Sequence, residues 1–168
     1  MTQLSKSTVV EAGVDKVWDV YADFGAADVW HPYFESAALV AGSPERGVGA
    51  ARDCVFGPRS SIRETVTEWI ENERMVIAIE FLSGPPMPIT DLMAAVDVAA
   101  VADSASTNLT LSLDYARRWG PIGAVADHLV VRRLYLGVFR NMLAASKAYA
   151  ETGAIPDQLA ILGSGRKV

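Results

Sequence analysis

A chain of 168 residues with a net charge of −5 and intermixed acidic and basic residues suffices for one domain with its own core, and it lacks the basic stripe that neutralises nucleic-acid phosphates. One cysteine, Cys54, and two histidines, His31 and His128, exclude an internal disulfide and a Cys- or His-rich metal site. The opening "MTQLSKSTVV" has no signal-peptide apolar run, and no segment reaches the roughly 18 uninterrupted apolar residues of a membrane span, so a cytoplasmic protein is expected.

In chain order, Ser5 to Glu11 reads as a strand. A helix follows, capped by Asp15, with Val17, Trp18 and Tyr21 on its apolar face and Gly25 at its end. Ala26 to Trp30 is expected to form one further helical turn, stopped by Pro32. Phe34–Ala41 and Ala50–Phe56 read as strands around the turn "GSPERGVG". Ser61–Ile70 is the clearest strand, with Ile62, Val66 and Ile70 on one face and Arg63, Thr65 and Thr67 on the other. "RMVIAIEFL" continues after a turn at Asn72 and Glu73, and "SGPPMPIT" is a proline-rich loop. Asp91–Val101 and Thr107–Tyr115 form a last hairpin, with Leu109, Leu111, Leu113 and Tyr115 on one face. Pro121 opens a long helix to about Glu151, with Arg133, Arg140 and Lys147 toward solvent and Val131, Leu134, Tyr135, Val138, Met142 and Ala145 opposite. Gly153 and Pro156 end it, and residues after Asp157 read as a tail.

The order of strand, two short helices, six strands and one long helix predicts an α+β fold with a seven-stranded antiparallel sheet. Such a sheet curls, and one helix across its concave face cannot fill it. A cavity follows, and the 51% hydrophobic content supplies its lining.

Particular residues carry a family resemblance. "VVEAGVDKVWDVYADFGAADVWHPYF" is similar to the first strand and helix pair of the START-like helix-grip superfamily (SRPBCC), which includes polyketide cyclases and lipid carriers. "GVGAARDCVFG" resembles its Gly-x-Gly-x-x-Arg strand, "SSIRETVTEWIENERMVIAIEF" its strand with an inward glutamate, and "YARRWGPIG" its closing segment. The resemblance covers about residues 4–153 and implies a single helix-grip domain over 1–157, with 158–168 as the tail.

That resemblance points Arg52, Cys54 and Phe56 inward from the third strand and Ile62, Glu64 and Val66 from the fourth. Either Arg52 or Cys54 would then face Glu64, depending on register. A buried charge persists when paired, so Arg52 and Glu64 are the candidate catalytic pair, a substrate anchor with an acid/base; a structural ion pair at the sheet rim is the alternative. Trp30 is expected to roof the cavity, whereas His31, beside Pro32, is expected to point outward. Phe81, Leu111, Tyr115, Tyr135, Val138 and Met142 are candidate ligand contacts. Asp91 is one if a bulge turns it inward, and His128 borders the buried stripe of the long helix.

The aromatic polyketide cyclases of the superfamily use an arginine late in the fourth strand, where this chain reads "TEWIEN", and an aromatic hydroxyl that falls near Phe34. Their catalytic set is therefore not carried over. No Gly-x-Ser-x-Gly nucleophile, phosphate loop or dinucleotide fingerprint occurs, and no cofactor is expected. The expected partner is a hydrophobic small molecule, not nucleic acid, held by a monomer or homodimer. The expected activity is cyclisation or dehydration of a bulky apolar intermediate. The alternatives are a non-catalytic carrier or sensor, and a module that binds another protein.

Overall fold

A computed structural model describes residues 1–118, 120, 121, 127–157 and 161. Seven strands form one antiparallel sheet: β1 (Thr2–Val10), β2 (Ser36–Leu39), β3 (Ala51–Val55), β4 (Ser61–Ile70), β5 (Arg74–Ser83), β6 (Ile89–Ala100) and β7 (Thr107–Arg117). Their spatial order is β1-β7-β6-β5-β4-β3-β2, so every neighbouring pair except β1–β7 is joined by a local connection. Helix α1 (Val14–Ala22) and a 3-10 turn (Phe24–Val29) link β1 to β2. A π-helical turn (Asp127–Val131) leads into α2 (Arg132–Thr152). This is the expected helix-grip architecture.

Alternation builds the inner face. On β7, Leu109, Leu111, Leu113 and Tyr115 are all buried, and on β6 so are Leu92, Val96 and Val98. On β4 the alternation breaks. A bulge between Val66 and Glu68 reverses the faces, so Ile70 is exposed while Trp69 turns inward to meet Trp18 edge-on, 5.1 Å between ring centres. The expected grouping of Ile70 with Ile62 and Val66 is corrected by that extra residue. Asp15 also differs from expectation: Gly13 occupies the N-cap, and Asp15 lies in the first turn, where its charge complements the helix dipole. The helix ends at Ala22, before Gly25.

Helix α2 is fastened to the sheet by its C-terminal half. Lys147 Nζ donates to Val9 O at 2.5 Å, Glu151 accepts the Glu11 N–H at 2.8 Å, and the Tyr21 hydroxyl donates to Ser146 Oγ at 2.9 Å. Gly153, with φ 70°, closes the helix by donating to Tyr149 O. Helix α1 packs on β6 and β7 at this same end, over Val98 and Leu109. The N-terminal half of α2 has no such fastening to α1, and the space beneath it stays open. The expected helical stretch 122–126 and most of the expected tail lie outside the described residues; Ile161 packs partly buried against the core. Among the described residues no helix is long and apolar enough to cross a membrane.

Candidate functional site

The open space is a cavity of about 550 Å³ between the sheet and α2, within the range of small-molecule sites. Its floor is Leu92, Ala94 and Leu113; its roof is Tyr135, Val138 and Met142 from α2. Phe56 and Phe81 flank its mouth, with Ser60, Gly84, Pro85 and Leu134. Burial pushes the Tyr135 hydroxyl up to about 12, so it stays protonated.

Register places the one ion pair of the cavity. β3 and β4 pair Arg52 with Glu64, not Cys54 with Glu64. Both side chains are less than a tenth exposed. Arg52 Nε donates to Glu64 Oε2 at 2.6 Å, and its Nη2 lies 2.6 Å from the same oxygen. Its Nη1 donates to Phe24 O at 2.9 Å, and the guanidinium carbon sits 4.0 Å from the centre of the Phe24 ring. Arg52 therefore stands behind the wall, held by Glu64 and Phe24, while Glu64 reaches the cavity surface. Glu64 Oε1 takes no hydrogen bond from the described residues.

His31 joins this group, contrary to its expected outward placement. It is 5% exposed, stacks on Phe34 at 3.6 Å between ring centres, and lines the cavity. The 3-10 turn closes through the His31 N–H onto Ala27 O, which rolls the side chain inward before Pro32 redirects the chain. Its Nδ1 accepts the Tyr33 N–H at 3.3 Å, which leaves Nε2 to carry the proton. Burial, and then the charge of Arg52, hold the imidazole well below its ordinary 6.5. Beside it, the Tyr33 hydroxyl accepts from Asn141 Nδ2 at 2.7 Å.

Six candidate contacts lie elsewhere. Trp30 is wedged edge-on against Tyr21 and His31 and lines a separate recess of about 430 Å³ with Lys16, Asp19 and Tyr149; its buried Nε1 has no acceptor. Cys54 points inward but is sealed among Ala27, Phe34 and Ile62, and burial raises its thiol to about 12, so it is an inert thiol. Leu111 faces inward but lies in the packed core, two residues along β7 from the cavity-lining Leu113. Tyr115 is fully buried and donates its hydroxyl to Asp127, so its partner is a carboxylate of the π turn rather than a ligand. Asp91 is exposed: the bulge between Thr90 and Met93 puts it at φ 53° with its side chain outward, and Leu92 takes the inward place. His128 is exposed because the wider π turn rotates Asp127 and Val131 into the buried positions. No cluster of three or more His, Cys, Asp or Glu side chains among the described residues is placed to hold a metal.

Comparison with known proteins accords with this geometry. Residues 1–151 match the family model described as polyketide cyclase / dehydrase and lipid transport. The chain belongs to that family. No curated protein matches it. A START superfamily protein from Mycobacterium smegmatis superposes with a TM-score of 0.70 at 16% identity, over 90% of this chain and 99% of that one. A norcoclaurine synthase from Thalictrum flavum, in complex with a transition-state analogue, gives 0.66 at 18% identity, over 89% and 93%. A protein from Thermobifida fusca gives 0.64 at 26% identity, over 90% and 96%. The polyketide cyclase / dehydrase and lipid transport family thus accounts for the helix-grip fold and for a ligand-sized cavity.

Proposed function

We propose that the cavity takes an uncharged, bulky apolar molecule and that Glu64 supplies the acid/base for its cyclisation or dehydration. The observation that carries this reading is the division of labour within the ion pair. Arg52 commits one carboxylate oxygen and fixes its direction, and the second oxygen is left for the ligand. A cavity with this lining desolvates a charged ligand without compensation, so a neutral one is favoured. His31, held neutral by burial, is a further polar group on the wall. In a dehydration, Glu64 Oε1 would take the proton from carbon and hand it to the hydroxyl on the neighbouring carbon, which leaves as water as the C=C bond forms, so that the carboxylate is regenerated. Shape would do the rest, by holding a flexible chain folded against the aromatic lining. The norcoclaurine synthase likeness adds that this architecture hosts a synthase.

The rival reading, a carrier with no chemistry, shares the cavity and is favoured by the lipid-transport half of the family description. The test is the mass spectrum of small molecules extracted from native protein, followed by incubation of each with wild type and Glu64→Gln. Conversion by the wild type and its loss in the variant support the enzyme. A copurified molecule left unchanged by both sinks the catalytic role and leaves the carrier.

A further inference from the structure

We infer that the end of the molecule bearing the cavity mouth docks on an anionic lipid surface. The inference rests on the cavity reading above, since docking serves transfer between bilayer and cavity. The β3–β4 turn, the β5–β6 loop, the end of β7 and the start of α2 all lie at one end of the sheet. The β3–β4 turn and β5–β6 loop touch, with a Cβ built on Gly84 falling 3.6 Å from Ser60 Oγ. Arg118 N donates to Pro88 O at 2.8 Å, and Tyr115 ties the π turn to β7.

That end presents large apolar side chains to water. Leu129, Val130 and Leu134 are 53%, 61% and 51% exposed on the π turn and first turn of α2, and Phe81 and Leu82 are exposed at the end of β5. Leu134 and Phe81 also line the cavity, so the exposed apolar rim runs continuously into its interior. Around it stand five exposed arginines: Arg59, Arg117, Arg118, Arg132 and Arg133. The acidic groups near them are the exposed Glu35, Glu80 and Asp91, and the buried Asp127, which Tyr115 and the arginines face.

Set against Glu35, Glu80, Asp91 and Asp127, the five arginines leave this end at about +1, and with −5 on the whole chain the remainder carries about −6. An anionic bilayer attracts the one and repels the other, which orients the mouth toward the lipid. Exposed leucine, valine and phenylalanine ringed by arginine is the composition that lies in a headgroup interface. The apolar side chains project from the π turn, the start of α2 and the end of β5 around one opening, an arrangement that suits insertion into a headgroup layer.

The test is co-sedimentation of the full chain with vesicles of phosphatidylcholine alone and of phosphatidylcholine mixed with phosphatidylglycerol, at low and high salt. Binding is expected only to the anionic vesicles and should weaken with salt. Arg118→Gln with Arg133→Gln should lower the partition coefficient about thirtyfold at low salt. Leu129→Ser with Val130→Ser should weaken binding while preserving its salt dependence, and Lys6→Gln on the outer face of β1 should leave it unchanged. Circular dichroism confirms that each variant is folded. Equal binding to both vesicle types, or undiminished binding by the double arginine variant, overturns the inference. So does a vesicle-inert chain that instead retains an acidic protein. Uptake of the neutral dye N-phenylnaphthylamine without vesicles reads the cavity separately. Normal uptake with no vesicle binding defeats docking alone, and absent uptake defeats the cavity reading alone.

Discussion

Removing Glu64 alone should be far more damaging than removing Glu64 and Arg52 together. In Glu64→Leu, the Arg52 guanidinium keeps its hydrogen bond to Phe24 O and its contact with the Phe24 ring, but loses its counterion at a site less than a tenth exposed. Breaking a buried pair from one side costs about 3–5 kcal/mol, and the retained contacts to Phe24 place this case near the lower figure. For a domain of this length, about 3 kcal/mol corresponds to a fall in Tm of roughly 6–12 °C. In the double variant Arg52→Met with Glu64→Leu, no charge is left without a partner, and packing against Phe24, Phe34 and Cys54 becomes wholly apolar. Its stability should lie within about 1 kcal/mol of wild type or above it. Urea denaturation of the four proteins gives the complete cycle. A Glu64→Leu loss below about 1 kcal/mol would show that Arg52 finds water or another partner, and would refute the sealed pair on which the site depends. Because the double variant keeps the fold, any turnover it lacks can be attributed to chemistry and not to unfolding.

Further predictions concern the rest of the cavity. Native His31 is held neutral, whereas in the unfolded chain it protonates near 6.5. Its contribution is therefore absent above that pH, and stability falls as pH drops from about 6.5 toward the lowered native value, by up to about 1.4 kcal/mol per unit. His31→Phe should flatten this part of the curve, and equal slopes for wild type and variant in urea titrations across that window would contradict the buried neutral imidazole. Tyr115→Phe strands the buried Asp127 carboxylate without its donor and should cost about 1–3 kcal/mol, read as a lower Tm; an unchanged Tm would mean that Asp127 is hydrated. Ala94→Phe projects a ring from the cavity floor and should abolish N-phenylnaphthylamine uptake with stability kept within about 1 kcal/mol, whereas uptake unaffected by it would place the dye elsewhere.

The inner face of each long strand could be read from alternation, because a period of two leaves little freedom on a half-buried sheet. Height along the strand could not. Leu111 and Leu113 are equivalent in sequence, yet the first is packed in the core and the second borders the cavity. The difference is set by where α1 lands and how far α2 is fastened, both long-range facts. Bulges are the other source of error. One extra residue on β4 expels Ile70, with no glycine to mark it, whereas on β6 the alternation of Leu92, Ala94, Val96 and Val98 already turns Asp91 outward and the bulge there does not bring it in. The Arg52–Glu64 pairing followed once the β3–β4 register was fixed, with Gly57 at φ 83° in the turn. His31 was hidden by its neighbour: a residue before proline reads as a surface bend, while the three aromatics around it, Trp30, Tyr33 and Phe34, were the signal that the bend is buried.

The cavity also constrains what the molecule can be. A sealed, empty apolar void of about 550 Å³, at about 24 cal/mol per Å³, would cost on the order of 13 kcal/mol, as much as the entire stability of an ordinary domain. A chain of 168 residues cannot carry that cost for packing reasons alone. The space must be open to water at its mouth, filled by a ligand, or both in turn. Exposed Leu134 and Phe81 at the rim mark the opening. Water inside meets an almost wholly apolar wall, where among the described residues the polar atoms come from Glu64, His31, Tyr33, Tyr135 and the rim serines. An apolar ligand would displace poorly bound water and draw most of its affinity from the lining, with the Glu64 carboxylate of the proposed reading setting its orientation.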